Sequence, residues 1–328
     1  MRAVVLSGPG PVENLAVREL AVPEVRPGWV RVAVKAFGLN RSELHTRLGL
    51  AEGVTFPRVP GIEAVGVVDA VDPADVGRAP AVGRQVVTMM GDMGRTYDGG
   101  YAEYTLVPVE QVIAFSSELA WDVVGAVPET LQTAHGSLTT GLDLAAGQTL
   151  LVRGGTSSVG LAAAALAKGL GATVLATTRK AANVDVLKAQ GVDHVLVDDG
   201  SIAGAVRALY PDGVDAALEL VGTPTLPDTL AATRVHGTVC FTGMLSNQWL
   251  VHDFYPIGYL PKGVRLTAYG GDSGDLPGEV LQRYLDEIAA GRISLGPTHV
   301  YRLDEIRQAH TDMEMGRAVG KLVVSTGR

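Results

Sequence analysis

The segment that most constrains the fold runs from Leu150 to Leu166, where an apolar run enters a turn of glycines and serines and then an alanine-rich stretch. The apolar run predicts a buried strand, and the alanines predict a helix. A strand, a tight turn and a helix in this order form a βα unit, which directs the N–H groups of the helix N-terminus toward a phosphate. The segment therefore predicts an α/β fold with a phosphate-binding turn.

The glycines of this turn meet the needs of a dinucleotide-binding turn. Gly154 and Gly155 permit a tight turn and a close approach of the backbone, and Gly160 lets the helix pack against the sheet. Ser157 stands where the usual fingerprint has its middle glycine, so a plain turn between a strand and a helix is the alternative. The residues predicted to bind the cofactor here are Gly154, Gly155, Thr156, Ser157, Ser158, Val159 and Gly160.

The sequence around the turn favours the dinucleotide-binding interpretation. From about residue 120, apolar runs alternate with Ala/Leu-rich stretches, as in the βαβ units of a doubly wound parallel sheet of the Rossmann type. The turn lacks the Gly-Lys-Ser or Gly-Lys-Thr sequence that a P-loop requires. The predicted strands span 148–152, 172–176, 194–197, 214–219 and 238–241, and the predicted helices span 159–170, 183–190 and 201–209.

The residues after the second predicted strand indicate which dinucleotide is bound. NAD-dependent enzymes place an acid on the adenosine ribose about 20 residues beyond the turn. This chain has Thr178, Arg179 and Lys180 there, with no acid before Asp185. Arg179 and Lys180 offer charged donors to a 2′-phosphate, although a solvated pair at a helix start is the alternative. NADP is therefore the predicted cofactor, used as NADPH.

The first third of the chain has a different pattern. Residues 1 to about 115 consist of short alternating strands interrupted by Gly and Pro, as at 29–35 and 61–69. The tail carries a predicted strand at 264–268, helices at 279–290 and 303–315, and a last strand at 321–324, and we expect it to return to the first domain. The predicted domains are a substrate domain formed by residues 1–121 and 262–328, and a dinucleotide-binding domain formed by residues 122–261.

Charge and composition limit the partners that this chain can have. Its formal net charge is −8, and its basic residues form only short pairs, so we expect neither a nucleic-acid nor an anionic-membrane partner. The first apolar run is broken at Gly8 and Pro9, unlike a secretory signal or a spanning helix. A small-molecule substrate and a cytoplasmic location are therefore expected.

The side chains that commonly perform covalent or metal chemistry are scarce in recognisable patterns. Cys240 is the only cysteine, which rules out an internal disulfide and a multi-cysteine zinc lobe. Its apolar neighbours predict a buried, inert thiol. We find no catalytic triad, no metal-ligand cluster and no convincing carboxylate pair. This pattern fits an enzyme whose cofactor supplies the chemistry.

In the order and spacing of several motifs, essentially the whole chain resembles the medium-chain dehydrogenase/reductase superfamily, and within it the zinc-independent, zeta-crystallin-like quinone oxidoreductases. The motifs, besides the phosphate-binding turn, are Gly38–Asn40, Val59–Val68, Gly99–Tyr104, Val127–Ala134, Gly237–Gly243 and Gly320–Val323. The resemblance implies a β-rich GroES-like barrel domain beside the Rossmann domain. It also implies a homodimer that reduces a quinone with NADPH.

The resemblance also indicates whether this chain has the ligands of a catalytic zinc. Zinc-dependent members of the superfamily carry a cysteine where this chain has Asn40 and a histidine where it has Ile62. A catalytic zinc needs three protein ligands and an open position, which Glu63 and His45 cannot supply. No metal is therefore predicted.

Several residues acquire predicted roles from the resemblance alone. Asn40 would lie close to the nicotinamide and the acceptor carbonyl, where its amide can donate to developing negative charge. The alternative role of Asn40 is to cap the helix that begins near Ser42. Thr133 would lie near the nicotinamide, with an ordinary helix residue as the alternative.

The resemblance assigns the remaining cofactor contacts to loops and to the C-terminal strand. Lys321 matches a lysine of the family, with a surface charge as the alternative. The loop residues predicted to lie beneath the nicotinamide are Val221, Gly222, Gly243 and Met244.

His45 departs from the family pattern. Quinone reductases of this kind have a tyrosine in the substrate site at this position. An imidazole can hydrogen-bond or protonate the acceptor oxygen because it titrates near neutral pH. A structural histidine with satisfied hydrogen bonds is the alternative.

The predicted function is therefore NADPH-dependent transfer of a hydride to a quinone or an α,β-unsaturated carbonyl compound. One alternative is an enoyl-thioester reductase, although no basic patch marks a site for the phosphates of coenzyme A or a carrier. A non-enzymatic NADPH-binding protein is a further alternative, since a fold does not guarantee turnover. The acidic net charge argues against binding of RNA.

Overall fold

The computed structural model describes residues 1–317 and 319–327, and these form two compact units. The first unit comprises Met1–Leu131 and Asp272–Arg328, and the second comprises Gln132–Gly271. The sequence predicts domain borders after residues 121 and 261, so both observed borders lie further along the chain. The first unit thereby gains the helix that begins at Trp121, and the second gains a strand that ends at Ala268.

The secondary structure is named here in chain order. The strands are β1 (Arg2–Leu6), β2 (Leu15–Glu19), β3 (Trp29–Gly38), β4 (Glu63–Val71), β5 (Gln85–Met89), β6 (Tyr104–Pro108), β7 (Val112–Ala114), β8 (Thr149–Arg153), β9 (Thr173–Thr178), β10 (His194–Val197), β11 (Val214–Glu219), β12 (Thr233–Phe241), β13 (Arg265–Ala268), β14 (Pro297–Arg302) and β15 (Lys321–Ser325). The helices are α1 (Arg41–Arg47), α2 (Trp121–Val124), α3 (Pro128–Gly136), α4 (Ser158–Gly169), α5 (Val184–Ala189), α6 (Ala203–Leu209), α7 (Leu226–Ala231), α8 (Pro256–Tyr259), α9 (Gly278–Ala289) and α10 (Ile306–Glu314).

The second unit contains the predicted doubly wound sheet. Its six strands are parallel and follow the order β10-β9-β8-β11-β12-β13, so the chain moves outward from β8 first on one side and then on the other. Leu150, Leu151 and Val152 of β8 are all fully buried, as expected for a central parallel strand covered on both faces. The Rossmann-type fold class is confirmed.

The strand that ends at Ala268 corrects one prediction. The sequence interpretation assigns the strand at 264–268 to the first domain, but β13 pairs in parallel with β12 at the edge of the second sheet. The Thr267 hydroxyl also donates to the Gly141 carbonyl oxygen at 2.6 Å. A short strand pattern does not specify its partner, because the partner is set by how the chain returns to the sheet.

The first unit is built around β3, which is long enough to pair with three strands. One edge of β3 binds β4, while its other edge binds β6 along 29–33 and β15 along 36–38. The rest of the sheet continues through β4 to β5 and β7 on one side, and through β15 to β14 on the other. This arrangement brings the end of β3 together with the starts of β4 and β15.

The helices are short. Over the part of the chain that the structure describes, none combines the length and apolar character needed to cross a lipid bilayer.

Candidate functional site

The carboxyl ends of the parallel strands bring most of the predicted cofactor residues together in the second unit. Parallel strands end at the same edge, so the loops that follow β8, β9, β11 and β12 are neighbours there. The Leu220 N–H donates to the Arg153 carbonyl at 3.1 Å, and the Gly243 N–H donates to the Glu219 carbonyl at 3.0 Å. The predicted residues at this edge are the turn 154–160, Thr178, Arg179, Lys180, Val221, Gly222, Gly243 and Met244.

Each glycine of the phosphate turn occupies a place where a side chain would not fit. Gly154 has a φ of +90°, which L-residues rarely adopt. A Cβ on Gly155 would lie 2.8 Å from the Ala176 Cβ, and one on Gly160 would lie 2.6 Å from the Gly154 carbonyl oxygen. The predicted tight turn is confirmed, and Gly160 allows the helix to pack closely against the backbone of the turn.

Ser157 has a local role that explains why it replaces the usual middle glycine. Its Oγ accepts the Gly160 N–H at 3.0 Å and donates to the Gly154 carbonyl at 2.8 Å, so the serine caps the N-terminus of α4. The N–H groups of Ser158 and Val159 lie in the first helical turn, which has no intrahelical acceptor. The turn therefore directs backbone donors and the positive end of the helix dipole outward.

The cations predicted to recognise a 2′-phosphate lie just past the end of β9. Arg179 and Lys180 are both exposed, whereas Thr178 is buried. The Thr178 Oγ1 accepts the Lys180 N–H at 3.3 Å, which fixes the start of this loop. Two exposed positive charges thus follow the strand that pairs with β8, the strand that leads into the phosphate turn.

The Asp198 carboxylate at this edge is engaged by protein donors. Asp198 follows β10, and its N–H donates to the Thr178 carbonyl oxygen at 2.8 Å. Arg153 donates to both of its carboxylate oxygens at 2.9 Å, and the Gly200 N–H donates to one of them at 2.9 Å. Burial would raise the pKa of Asp198, but these hydrogen bonds and the guanidinium charge hold it below its usual range.

The loop after β11 is shaped by a buried glutamate that sequence inspection missed. The Glu219 Oε1 accepts the N–H groups of Val221 at 2.7 Å and Gly222 at 3.0 Å. Its Oε2 accepts the Thr229 hydroxyl at 2.5 Å. Burial raises the pKa of Glu219 despite these bonds. The predicted contacts Val221 and Gly222 therefore sit on a fixed loop.

Thr133 is connected to the loop after β12. The Ser137 hydroxyl donates to the Thr133 carbonyl at 2.6 Å and lies 3.0 Å from the Thr242 Oγ1, next to Gly243. The Thr242 hydroxyl also lies 3.4 Å from the Cys240 sulfur. Cys240 is fully buried, as predicted, and burial raises the pKa of its thiol.

In the first unit, a group of buried charged side chains surrounds Asn40. We call it the Asn40 cluster; it consists of Asn40, Glu43, Glu63, Glu129 and Lys321. The Lys321 ammonium lies 2.7 Å from the Glu63 Oε1 and 3.4 Å from the Glu129 Oε2, and it donates to the Asn40 Oδ1 at 2.5 Å. Burial would lower the pKa of Lys321, but the two carboxylates raise it above its usual value.

The Asn40 cluster depends on Gly38 at the end of β3. A Cβ at this position would lie 2.3 Å from both the Glu63 Oε1 and the Lys321 Cε. Glu63 opens β4 and Lys321 opens β15, so the two strands that flank β3 deliver opposite charges to the same place. Glycine is required here because the ion pair passes over the backbone.

Two features of this cluster could not be seen in the sequence. Lys321 is only 3% exposed, so the alternative of a surface charge is excluded. The sequence also shows no convincing carboxylate pair, yet Glu43 and Glu63 both accept from the Asn40 Nδ2, at 3.3 Å and 3.0 Å. These acids are 20 positions apart in the sequence, and only the pairing of β3 with β4 brings them together.

Asn40 occupies the helix-capping position that was the alternative to its catalytic role. It immediately precedes α1, and its N–H donates to the Glu43 Oε2 at 2.8 Å. Both hydrogens of its amide nitrogen point to carboxylates, and its amide oxygen accepts from Lys321. The side chain is therefore fully engaged within the cluster. His45 lies on the same helix and is buried.

At positions 40 and 62, where zinc-dependent members of the superfamily carry metal ligands, this chain has an amide and an aliphatic side chain. Ile62 is buried, and its N–H donates to the Glu43 Oε1 at 2.8 Å. Within residues 1–317 and 319–327, no group of three or more His, Cys, Asp or Glu side chains is arranged to hold a metal ion.

Comparison with known families assigns both parts of the chain. A family model described as the alcohol dehydrogenase GroES-like domain matches residues 26–117, and one described as zinc-binding dehydrogenase matches residues 190–324. A probable quinone oxidoreductase of Schizosaccharomyces pombe is 28% identical over 98% of this chain and 96% of that protein. The chain belongs to the medium-chain dehydrogenase/reductase superfamily. The predicted GroES-like and Rossmann domains of this oxidoreductase superfamily are thereby confirmed.

Further similar proteins extend the comparison. A mycobacterial protein solved in complex with NADPH has a TM-score of 0.87 and 27% identity over 99% of both chains. An NAD-dependent alcohol dehydrogenase has the same TM-score and identity over the whole of both chains. The spectinabilin polyketide synthase protein NorB of Streptomyces orinoci is 30% identical over 97% of this chain, but the chain spans only 14% of that protein.

The buried Glu43 carboxyl is expected to make stability depend on pH. Burial raises its pKa from 4.5 to about 7, against the lowering effects of the Ile62 N–H and Lys321. The folded state therefore holds this proton more tightly, so the stabilisation is complete below pH 4.5 and is lost as the pH rises through 7. Over that interval the loss is about 3 kcal/mol.

The measurement is the free energy of urea unfolding between pH 5 and 8. Glu43→Gln cannot ionise at this position, so it should lack this part of the slope, whereas the exposed control Glu279→Gln should keep it. Equal slopes for wild type and Glu43→Gln would contradict the raised pKa.

Proposed function

We propose that this protein is an NADPH-dependent reductase that transfers a hydride to a quinone or an α,β-unsaturated carbonyl compound without zinc. The proposal is carried by the carboxyl edge of the second unit. There the phosphate turn lies beside two exposed cations, while the neighbouring Asp198 is engaged by Arg153.

The residues at this edge fit a phosphorylated dinucleotide. The glycines leave room for close approach, and the first turn of α4 offers N–H donors to a pyrophosphate. Arg179 and Lys180 suit a 2′-phosphate, since charged donors bind phosphate oxygens strongly. Asp198 is already engaged by protein donors, because Arg153 donates to both of its oxygens and the Gly200 N–H donates to one of them. This arrangement favours NADP over NAD.

When bound, the cofactor supplies the hydride, so the protein has to bind and orient the cofactor and to exclude water from the site. The helix dipole of α4 and the loops after β11 and β12 bind and orient the cofactor. Val221, Gly222, Gly243, Met244 and Thr133 are proposed to support its nicotinamide end. The reduced acceptor also needs a proton, which we assign to His45 or to solvent.

The proposed independence from zinc follows from the donor set. An aliphatic side chain at position 62 offers no ligand, and the Asn40 amide is already bonded to Glu43, Glu63 and Lys321. A catalytic zinc requires three protein donors and an open position. We therefore propose that Asn40 is not a metal ligand. The predicted contacts of Asn40 with the nicotinamide and of Lys321 with the cofactor stay predictions.

The similarity to a probable quinone oxidoreductase supports the quinone acceptor. The NADPH complex of the mycobacterial protein and the NAD-dependent alcohol dehydrogenase both support a nicotinamide cofactor, so the preference for NADP rests on Arg179 and Lys180. The similarity to a segment of polyketide synthases keeps an enoyl thioester as the second candidate acceptor.

The acceptor is tested by following the absorbance of NADPH with quinones, enones and an enoyl thioester. We expect consumption with quinones or enones that exceeds consumption with the thioester by at least about tenfold in kcat/KM, because the sequence marks no basic patch for the phosphates of a carrier. Faster consumption with the thioester would favour the second candidate. Binding of NADPH without consumption on any acceptor would favour a non-enzymatic role.

The cofactor preference is tested with Arg179→Ala combined with Lys180→Ala. Loss of both cations should raise the KM for NADPH by about tenfold to a hundredfold, because each charged hydrogen bond contributes about 1.5 to 3 kcal/mol before solvent screening. The KM for NADH should change little. Lys262→Ala, which removes an exposed cation at the opposite edge of the same sheet, is the matched control. Equal weakening of NADPH and NADH would argue against a 2′-phosphate site.

The proton-donor role is tested at His45. If the imidazole is the acid, His45→Phe should lower turnover by about 10²-fold and remove a titration near neutral pH from the rate profile. His45→Gln keeps a hydrogen-bond donor without titrating, so it should resemble His45→Phe. If wild type and both variants share one rate profile from pH 5 to 9, solvent is the proton source.

A further inference from the structure

The residue immediately before the phosphate turn is a buried arginine. Arg153 ends β8 and has 0% of its surface exposed. Besides its two bonds to Asp198, its guanidinium donates to the Asp228 carboxylate at 2.6 Å and to the Thr229 hydroxyl at 3.1 Å. One side chain therefore ties the end of β8 to the loop after β10 and to α7.

The arginine also reaches the turn itself through a threonine of the next strand. The Gly154 N–H donates to the Thr177 Oγ1 at 3.0 Å, and the Gly155 N–H donates to the Thr177 carbonyl at 3.0 Å. The next residue joins this strand to Asp198, because the Asp198 N–H donates to the Thr178 carbonyl oxygen at 2.8 Å. The Thr177 hydroxyl also helps to lower the pKa of the Asp198 carboxyl against the effect of burial. Contacts thus run from Gly154 and Gly155 to Thr177, and from the adjoining Thr178 to Asp198 and Arg153.

This connection acts where the backbone has the most freedom. Gly154, at a φ of +90°, and Gly155 have no side chains to pack, so their conformation is fixed by their hydrogen bonds and the adjoining helix. If the turn is in the binding conformation in only a fraction of the molecules, its apparent affinity for the ligand is reduced in proportion to that fraction. Fixing these two N–H groups therefore raises the share of molecules whose turn is ready to bind.

We propose that Arg153, Asp198 and Thr177 form a positioning network that holds the phosphate turn in its cofactor-binding conformation. The inference rests on the proposed function, since it concerns the same dinucleotide site. Arg153 is a positioning residue here: it acts through Asp198 and Thr177, and its own donors are taken by protein acceptors.

The opposite edge of the same sheet supplies a matched control. There the Thr149 hydroxyl donates to the Asp215 carboxylate at 2.7 Å, and Arg234 donates to the same carboxylate at 2.6 Å. Thr149 opens β8 and Arg153 ends it, so this second Thr-Asp-Arg group lies away from the phosphate turn. A Thr→Val substitution in either group removes one hydrogen-bonding hydroxyl: that of Thr149 bonds Asp215, and that of Thr177 accepts the Gly154 N–H.

The test compares Thr177→Val, Thr177→Ser and Thr149→Val in the full chain. The dissociation constant of NADPH is measured by fluorescence titration, and thermal unfolding is followed in parallel. Thr177→Val should raise the dissociation constant about tenfold, equivalent to about 1.4 kcal/mol, with kcat at saturating NADPH unchanged. Thr177→Ser should restore binding because it restores the hydroxyl. Thr149→Val should lower thermal stability without weakening binding.

The outcomes separate this inference from the proposed function. A wild-type chain that binds neither NADPH nor NADH would overturn both. Wild-type binding that Thr177→Val leaves unchanged would overturn the positioning network alone. Weakened binding in Thr149→Val equal to that in Thr177→Val would also overturn it, because the effect would then follow general stability. If Thr177→Val does not fold, Arg153→Lys replaces it, since a lysine keeps the charge but cannot bond both oxygens of Asp198.

Discussion

The parallel pairing of β8 with β9 and β11 is the constraint on which the rest of the second unit depends. It places the phosphate turn, the Arg179 and Lys180 pair, and the loop shaped by Glu219 at one edge. The loops that follow parallel strands meet at this carboxyl edge, where their N–H groups are not used by a neighbouring strand. Buried polar side chains then fix these loops, because a loop of glycines cannot hold its own conformation by packing.

Buried charge is arranged differently in the two units. In the second unit one cation, Arg153, contacts two carboxylates and lies near Glu219. In the first unit one ammonium, Lys321, faces Glu63 and Glu129 near a third acid, Glu43, whose pKa is raised. Removing water from such groups costs free energy unless partners compensate for it. Each group therefore links strands or loops whose relative positions are tightly specified.

The elements that could be predicted are those whose signal is local. The bounds of β10 and β11 coincide with the prediction, and α4 differs by one residue at each end, since apolar runs and alanine content report the local conformation. The capping role of Asn40 could also be proposed from the sequence, because an asparagine just before a helix is a local signal. By contrast, β12 begins at Thr233, well before the predicted 238, where His236 has a φ of +66° and the pairing with β11 shifts register. Such an irregularity interrupts the alternation that predicts strands.

By itself the sequence determined the two-part α/β organisation, the phosphate turn with its glycines, and the candidate cations at positions 179 and 180. Only the tertiary structure decided that Lys321 is buried, that Glu43 and Glu63 share one amide, that β13 belongs to the second sheet, and that Asp198 is occupied by Arg153. The physical reason is the range of the interactions. Lys321 and Asn40 form a hydrogen bond across 281 positions of sequence, and such contacts are set by the path of the chain rather than by the residues next to them.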